Sequence, residues 1–284
     1  SWFMDIQSQK KEMLEENAKT NWNHDHLRTG RFNNIIEQAP DWNLSRDRYW
    51  ATPIPVWKGY RQDGTEIVKV IGSYDEFEEL TGKRLDDYHL PQVMNVTFEC
   101  DGVEMRHIGK VLDCWFESGS MPFAQFHYPF ENKEKFEKNF PANFIAEGID
   151  QTRTWFYYLH ILAAGQFGKP AFKNVIVNGT VVAEDGKKMS KKLKNYPDPM
   201  LLMDKVGADA LRAYLLSSPV TQAENMNFSE KGVEEALRKN VMMMGNIYSF
   251  YALYAEEAAD AEGIVSENVL DKWIIANLNR LVAT

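Results

Sequence analysis

Cysteine is scarce in this chain of 284 residues, which contains only Cys100 and Cys114. Two cysteines cannot make a disulfide framework or a paired zinc site, so we expect a reducing compartment and a cytoplasmic protein. Long apolar runs are also lacking, and we expect neither a membrane span nor a secretory signal. Because Ser1 opens a segment rich in Lys and Glu, we expect a piece of a longer protein.

Net positive charge is lacking as well. The chain has 41 acidic and 32 basic residues, for a formal net charge of −9. This balance argues against a surface that is basic throughout, as a general nucleic-acid binder would need. No Gly-x4-Gly-Lys-Ser/Thr run occurs, which excludes a P-loop ATPase. A local basic site remains open.

The middle of the chain alternates between strand and helix patterns. "NFIA" and "KNVIVNG" are typical of short buried strands, and residues 151–168 and 207–219 have the pattern of helices. This order predicts an α/β fold with a parallel sheet. Such sheets bind ligands beyond the carboxyl ends of their strands, where "AEGID" (residues 146–150) follows the first strand.

Other segments carry different patterns. Residues 1–20 are predicted to be helical. Between residues 60 and 110, Asp63-Gly64 and Asp101-Gly102 predict two-residue hairpin turns on either side of a short helix. The chain is predicted to be helical again from Ser229 onwards. There Ser266 is expected to cap a helix whose buried face holds Leu270, Trp273, Ile274, Leu278 and Leu281.

Five lysines lie within eight residues in the segment "EDGKKMSKKLKN" (residues 184–195). Clustered ammonium groups suit a triphosphate, because lysine is a compact charge on a flexible stem. Nucleotidyl transfer needs such charge stabilisation more than covalent chemistry. A solvated basic turn is the alternative for a lysine-rich loop.

The order of residues in this segment resembles a known motif. "KMSKK" (residues 188–192) resembles the KMSKS loop of class I aminoacyl-tRNA synthetases. Nearly the whole chain resembles the isoleucyl-tRNA synthetase family, whose valyl and leucyl relatives differ in the "WFESGSMP" and "EGIDQTR" segments. The supporting segments, in order, are "NLSRDRYWATPIPVW", "DCWFESGSMPFAQ", "FIAEGIDQTRTWFY", "NVIVNGTVV" and "GADALRAYLL".

The resemblance implies the second half of a Rossmann-like nucleotide-binding fold, with a small β-rich insertion, followed by the start of an all-α anticodon-binding domain. It further implies ATP-dependent activation of L-isoleucine to isoleucyl-adenylate and transfer to tRNA(Ile) in translation. ATP would enter with Mg²⁺, although no metal site is evident in the sequence, and a monomer is expected. The expected divisions are the return into the catalytic domain (1–59), the insertion (60–110), the second half of the catalytic domain (111–222) and the helical tRNA-binding domain (223–284).

The resemblance also implies roles for individual residues. The loop lysines Lys188 and Lys191 would hold the phosphates and act in catalysis, and Lys192 stands where the commonest motif has Ser. A carboxylate beside the aminoacyl group would bind its ammonium by a charge-assisted hydrogen bond. Met189 and Ser190 would shape the loop and its adenine contact, Glu147 would lie next to the aminoacyl part, and Gly148 would let the ligand approach the backbone. Asp150 would bind the ribose with Gln151 as a neighbouring polar contact, and Trp115 and Trp155 would surround the isoleucine side chain.

The chain lacks a second family motif, His-x-Gly-His. "HIGK" (residues 107–110) resembles it but follows a predicted hairpin and precedes no helix, so we interpret it as non-catalytic. The family's editing domain is inserted before the segment that residues 1–22 resemble. We therefore expect that the first half of the active site and the editing domain are both absent, and that adenylate synthesis by this chain is weak or absent.

Two alternative functions accompany this interpretation, and a further hypothesis concerns a metal site. The chain could bind RNA or a nucleotide without catalysis, although Glu147 and Asp150 would repel RNA phosphates. It could instead be a valyl- or leucyl-specific relative. Finally, His24 and His26 could bind a metal, but without a nearby cysteine we interpret them as loop histidines.

Overall fold

The computed structural model describes residues 1–255 and 266–284. Residues 256–265, which belong to the predicted helical domain 223–284, lie outside the described residues. The chain divides into two units. The first unit comprises Ser1–Thr180 and Pro219–Met226, and the second comprises Val181–Ser218 and Asn227–Thr284.

The elements are numbered along the chain. The strands are β1 (Phe3–Met4), β2 (Asn21–Asn23), β3 (Trp42–Asn43), β4 (Ser45–Arg46), β5 (Val56–Tyr60), β6 (Glu66–Val70), β7 (Thr97–Cys100), β8 (Val103–His107), β9 (Val111–Leu112), β10 (Ala142–Gly148), β11 (Phe172–Asn178), β12 (Val181–Val182) and β13 (Met226–Asn227). The α-helices are α1 (Lys10–Ala18), α2 (Asn33–Gln38), α3 (Tyr74–Thr81), α4 (Leu90–Val93), α5 (Cys114–Ala124), α6 (Lys133–Asn139), α7 (Trp155–Phe167), α8 (Pro199–Val206), α9 (Ala208–Leu216), α10 (Glu230–Ala236), α11 (Met243–Tyr254) and α12 (Val269–Ala283).

A parallel sheet in the order β10-β11-β2 forms the centre of the first unit. The chain between β10 and β11 forms α7, an apolar helix whose residues from Leu159 to Ala164 are all buried. Ile145, Val175 and Trp22 are paired across the three strands and are buried in one core cluster. The predicted parallel α/β arrangement is therefore confirmed, with β2 as a third strand that the sequence did not reveal.

Only one face of this sheet is covered by the core cluster. Ile145 is the only buried residue of β10, and Phe144 is 63% exposed. The predicted strand at "NFIA" is confirmed, but the prediction that it is buried holds only for Ile145. The physical reason is the position of β10 at the edge of a sheet that is packed on one side.

An antiparallel sheet in the order β6-β5-β8-β7 forms a second core in the first unit. The turn Asp101-Gly102 joins β7 to β8 with φ values of 49° and 75°, as a two-residue hairpin requires. The turn between β5 and β6 spans residues 61–65, so the two-residue turn predicted at Asp63-Gly64 is wrong in length. The hydroxyl of Ser73 caps α3, the short helix predicted between the two turns, by accepting the Glu76 N–H at 3.1 Å.

The amino-terminal segment differs from its predicted helix. β1 pairs with β3, and only Lys10–Ala18 form an α-helix. The Leu44 N–H donates to the Trp2 carbonyl oxygen at 2.8 Å, and the Trp2 N–H donates to Ser45 Oγ at 3.0 Å. Pairing with a distant strand therefore overrides the local helical pattern of the first residues.

The second unit is built from α8 to α12, with a core of Leu202, Val206, Ala210, Phe228 and Val233. Helix α12 begins after Asn268, whose side chain accepts the Leu270 N–H at 2.9 Å, so Ser266 is not its cap. The face that we predicted to be buried is 55–73% exposed at Leu270, Trp273, Ile274, Leu278 and Leu281. That prediction is wrong. Among the described residues, none packs closely enough over this face to bury it.

Candidate functional site

Glu147 and Gly148 form the carboxyl end of β10, and Asp150 and Gln151 follow in a 3-10 turn, Ile149–Arg153. The side chains of Glu147 and Asp150 are exposed, so two carboxylates project at this end of the parallel sheet. A Cβ on Gly148 would lie 2.7 Å from Asp150 Oδ1, so a side chain there would displace the carboxylate. The structure thus brings the predicted carboxylates together at the edge where such sheets bind ligands.

Gln151 connects this turn to α7. Its amide nitrogen donates to Asp150 Oδ2 at 3.1 Å, which fixes one side of the carboxylate. Its amide oxygen accepts the Trp155 N–H at 3.1 Å and the Thr154 hydroxyl at 2.6 Å. Gln151 therefore satisfies a free N–H at the start of the helix and orients Asp150 at the same time.

Trp115 and Trp155 lie between α5 and α7, and both are half-buried. The Trp115 ring stacks on Tyr158, with centroids 5.5 Å apart and planes at 13°. The Trp155 indole N–H donates to the Ser118 carbonyl oxygen at 3.3 Å. Pro122, inside α5, has no N–H for the carbonyl four residues earlier, which is that of Ser118. Proline thus frees the acceptor that holds the Trp155 ring.

A glycine sets the distance between these two helices. A Cβ on Gly119 would lie 2.8 Å from the Tyr158 carbonyl oxygen, closer than side-chain carbons approach backbone atoms. At the start of α5, the buried Asp113 accepts the Trp115 N–H at 3.0 Å and the Trp42 indole N–H at 3.1 Å, and it pairs with Arg46. The aromatic residues of the site are therefore held by backbone packing and by one buried carboxylate.

The lysine loop belongs to the second unit. Lys188, Lys191, Lys192 and Lys194 are exposed, whereas Met189 is half-buried and packs on the core that contains Leu202 and Phe228. Lys187 pairs with Asp185 at 3.2 Å. The hydrogen bond from the Lys187 N–H, more than the ammonium charge, holds the pKa of Asp185 below its ordinary value.

Asn195 closes the lysine loop. Its Oδ1 accepts the Ser190 N–H at 2.9 Å, and its Nδ2 donates to the Lys188 carbonyl oxygen at 3.2 Å. The side chains of the loop lysines other than Lys187 have no carboxylate within 4.0 Å among residues 1–255 and 266–284. The loop therefore presents several uncompensated ammonium groups on a fixed backbone. Asn195 was not among the predicted site residues, although its position at the end of the lysine run was a usable signal.

The histidines show no metal site. His24 and His26 stack with centroids 6.0 Å apart, and His24 Nε2 lies 3.0 Å from the Thr221 carbonyl oxygen. Within the described ranges, no group of three or more His, Cys, Asp or Glu side chains could hold a metal ion. His107 ends β8, and strand β9 follows it, so "HIGK" precedes no helix, as predicted.

In the part of the chain that the structure describes, no helix combines the length and apolar character needed to cross a bilayer.

Three isoleucine–tRNA ligases are similar in sequence to this chain over 99–100% of its length. It is 50% identical over 295 residues to the probable cytoplasmic isoleucine–tRNA ligase of Dictyostelium discoideum, a match that covers 100% of this chain. It is 48% identical to the isoleucine–tRNA ligases of Protochlamydia amoebophila and Bdellovibrio bacteriovorus, with 99% and 100% of this chain covered. The chain spans 27% of the length of each of these relatives. The resemblance to isoleucyl-tRNA synthetases is confirmed.

The fold has a counterpart among solved structures. Mycobacterium tuberculosis methionyl-tRNA synthetase in complex with methionyl-adenylate matches 100% of this chain and 47% of its own, with a TM-score of 0.66 and 15% identity. This likeness confirms the predicted class I α/β fold. A family model for class I tRNA synthetases (I, L, M and V) matches residues 1–227. The chain therefore belongs to the class I tRNA synthetase family.

Proposed function

We propose that this chain provides part of the site of an isoleucine–tRNA ligase. The reaction joins the carboxylate of L-isoleucine to the α-phosphate of ATP, which gives isoleucyl-adenylate and releases pyrophosphate. The isoleucyl group then passes to the terminal adenosine of tRNA(Ile), and AMP is released. The observation that carries the proposal is the pair of exposed carboxylates at the end of β10, Glu147 and Asp150, in a chain 50% identical to an isoleucine–tRNA ligase.

The first unit supplies groups that suit the adenylate. Glu147 would accept hydrogen bonds from the isoleucine ammonium, which are stronger than neutral ones because both partners are charged. Gly148 leaves the backbone open for close approach. Asp150, oriented by Gln151, would accept the ribose hydroxyls. Trp115 and Trp155 would contact the isoleucine side chain through their half-buried rings.

The second unit supplies groups that suit the phosphates. Lys188 and Lys191 would neutralise the charge that moves to the leaving pyrophosphate, and Lys192 adds to the same field. Met189 and Ser190 would shape the loop and contact the adenine. ATP would bring Mg²⁺ with it, so the described residues need not hold the ion themselves. We place the protein in the cytoplasm, because its relative in Dictyostelium discoideum is described as cytoplasmic. The expectation of a monomer rests on the family resemblance alone.

Glu147→Gln tests the carboxylate, because it removes the charge and keeps the shape. Titration calorimetry would measure the affinity of the chain for a non-hydrolysable isoleucyl-adenylate analogue. Loss of a charge-assisted hydrogen bond, worth about 1.5–3 kcal/mol, weakens binding roughly 10- to 150-fold. Glu79→Gln, at an exposed position of α3, is the matched control and should bind like the wild type. Equal affinity in the wild type and Glu147→Gln would contradict the proposal.

The lysines are tested with ATP itself. Lys188→Ala and Lys191→Ala should each weaken ATP binding, and the loss should shrink at high salt because the contacts are exposed. Lys83→Ala, at an exposed position of the antiparallel-sheet region, removes the same charge elsewhere and should leave ATP binding unchanged. If all three variants bind ATP alike, the phosphate role of the loop is wrong.

A further inference from the structure

The turn that carries Asp150 and Gln151 is tied to a distant part of the first unit by one side-chain hydrogen bond. Arg31 Nε donates to Thr152 Oγ1 at 2.9 Å, across 121 positions of sequence. The Thr152 side chain is fully buried, and its hydroxyl donates to the Ile149 carbonyl oxygen at 2.7 Å. The chain of bonds from Arg31 thus ends on the first residue of the turn.

Arg31 reaches Thr152 from a π-helical segment, Leu27–Phe32, that follows β2. π-helical turns are rare and occur frequently at functional sites. Leu27 and Phe32 are buried in the same core cluster as β10 and β11, so the backbone on either side of Arg31 is anchored. Arg31 as a whole residue is exposed, whereas its hydrogen bond to Thr152 is partly buried. An anchored segment therefore holds one donor against the buried hydroxyl.

The turn is consequently held at both ends. Thr152 fixes the Ile149 carbonyl at its start, and Gln151 fixes its end by accepting the Trp155 N–H at 3.1 Å. Asp150 lies between these two points. Without the bond from Arg31, the Thr152 hydroxyl keeps its link to Ile149 but loses its connection to the rest of the unit.

We infer that Arg31 and Thr152 are positioning residues, which hold Asp150 and Gln151 in the orientation that binds the adenylate. The inference rests on the proposed function, because it assigns the turn to that ligand. Neither residue needs to touch the ligand. Small displacements of binding groups are costly, since about 1 Å of misplacement can lower a rate by about 100-fold. Loss of one bond in the chain should therefore weaken ligand binding without unfolding the protein.

Four substitutions separate the positioning role from a general loss of structure. Arg31→Met removes the donor and keeps an unbranched stem, and Arg31→Lys restores a donor. Thr152→Val removes the hydroxyl at similar volume, and Thr152→Ser restores it. The matched control is Arg28→Met in the same π-helical segment, because Arg28 bonds to Asp25 and to the Ala18 carbonyl instead of the turn.

Two readouts are measured on the whole 284-residue chain. The first is amide hydrogen exchange of Thr154 and Trp155 without ligand, because both amides bond to Gln151 in the turn. The second is the affinity for a non-hydrolysable isoleucyl-adenylate analogue. We expect Arg31→Met and Thr152→Val each to speed exchange and to weaken binding by about tenfold, which corresponds to about 1.4 kcal/mol. Arg31→Lys, Thr152→Ser and Arg28→Met should stay close to the wild type.

The pattern of results decides the inference. The double variant should bind no more weakly than Thr152→Val alone, because Thr152→Val already removes the bond from Arg31 together with the bond to Ile149. Unchanged exchange and affinity in both single variants would overturn the positioning role and leave the proposed function intact. Weaker binding in Arg31→Met alone, with unchanged exchange, would also overturn it, since Arg31 would then contact the ligand directly. If the wild type does not bind the analogue but exchange responds as expected, the bond from Arg31 still orders the turn, and what fails is the proposed function of the turn as an adenylate site.

Discussion

The imidazole of His160 is completely buried in the first unit, and its pKa makes stability depend on pH. Its Nε2 donates to the Met13 carbonyl oxygen at 2.7 Å and ties α7 to α1, while Nδ1 finds no hydrogen-bond partner among the described residues. Burial, which opposes charging, lowers the pKa of His160 below its ordinary value of 6.5, and the Met13 hydrogen bond and Glu16 only partly oppose this. The neutral ring therefore belongs to the folded state.

The sign of the effect follows from proton uptake. Below pH 6.5 the unfolded chain binds a proton at His160, whereas the folded chain binds it only at lower pH. The free energy of unfolding therefore falls as the pH falls. The stability that the neutral His160 contributes is fully present above the unfolded-state pKa. It is lost as the pH falls towards the lower folded-state pKa. One such group changes the free energy of unfolding by at most about 1.4 kcal/mol per pH unit.

Urea unfolding at pH 7.5 and pH 5.5 measures this term in three proteins. The wild type should lose up to about 1.4 kcal/mol more than His160→Gln, which keeps a donor for Met13 but does not titrate. His26→Gln, at an exposed position, is the control and should behave like the wild type. Burial also lowers the pKa of His107, but His107 is present in all three proteins and cancels in the comparison. An equal loss in the wild type and His160→Gln would refute the reasoning.

Three further predictions concern the two units and the reaction. Gly119→Ala should lower stability by about 1–3 kcal/mol in thermal denaturation, because its Cβ would lie 2.8 Å from the Tyr158 carbonyl oxygen. Gly30→Ala should leave stability almost unchanged, because the space around its Cβ is open. Equal melting temperatures for Gly119→Ala and Gly30→Ala would contradict the packing argument. Asn195→Ala should speed exchange of the Ser190 amide by about tenfold, since it removes the acceptor of that N–H; unchanged exchange would mean that Asn195 does not hold the loop. Isoleucine-dependent exchange of pyrophosphate into ATP should be weak or absent with this chain alone. Clear exchange that depends on isoleucine would contradict that expectation.

The central strands and helix were predictable because their signals are local. β11 and α7 are apolar runs, and the turn Asp101-Gly102 has the residues that its positive φ values require. The edge of the sheet at which a ligand is expected followed from the topology, because parallel strands have their carboxyl ends at the same edge. The lysine loop was visible as a cluster of like charges in an acidic chain.

The missed features depend on residues far apart in sequence. β2 has only three residues and is a strand because it pairs with β11, about 150 positions later. The bonds of Arg31 with Thr152 and of Trp155 with Ser118 likewise need the folded core to bring their partners together. The spacing of apolar residues predicts which face of α12 is apolar, but it does not predict which part of a protein covers that face.

The direct test of the central claim is the affinity of the wild-type chain for isoleucyl-, valyl- and leucyl-adenylate analogues, measured by titration calorimetry. We predict that the isoleucyl analogue binds most tightly. The valyl analogue should follow at a cost of only about 1–3 kcal/mol for the missing methylene, a limit for which isoleucyl enzymes are the standard illustration. Tighter binding of the leucyl or valyl analogue would contradict the assignment to isoleucine, and no binding of any of the three would contradict the claim that this chain carries a preformed part of the site.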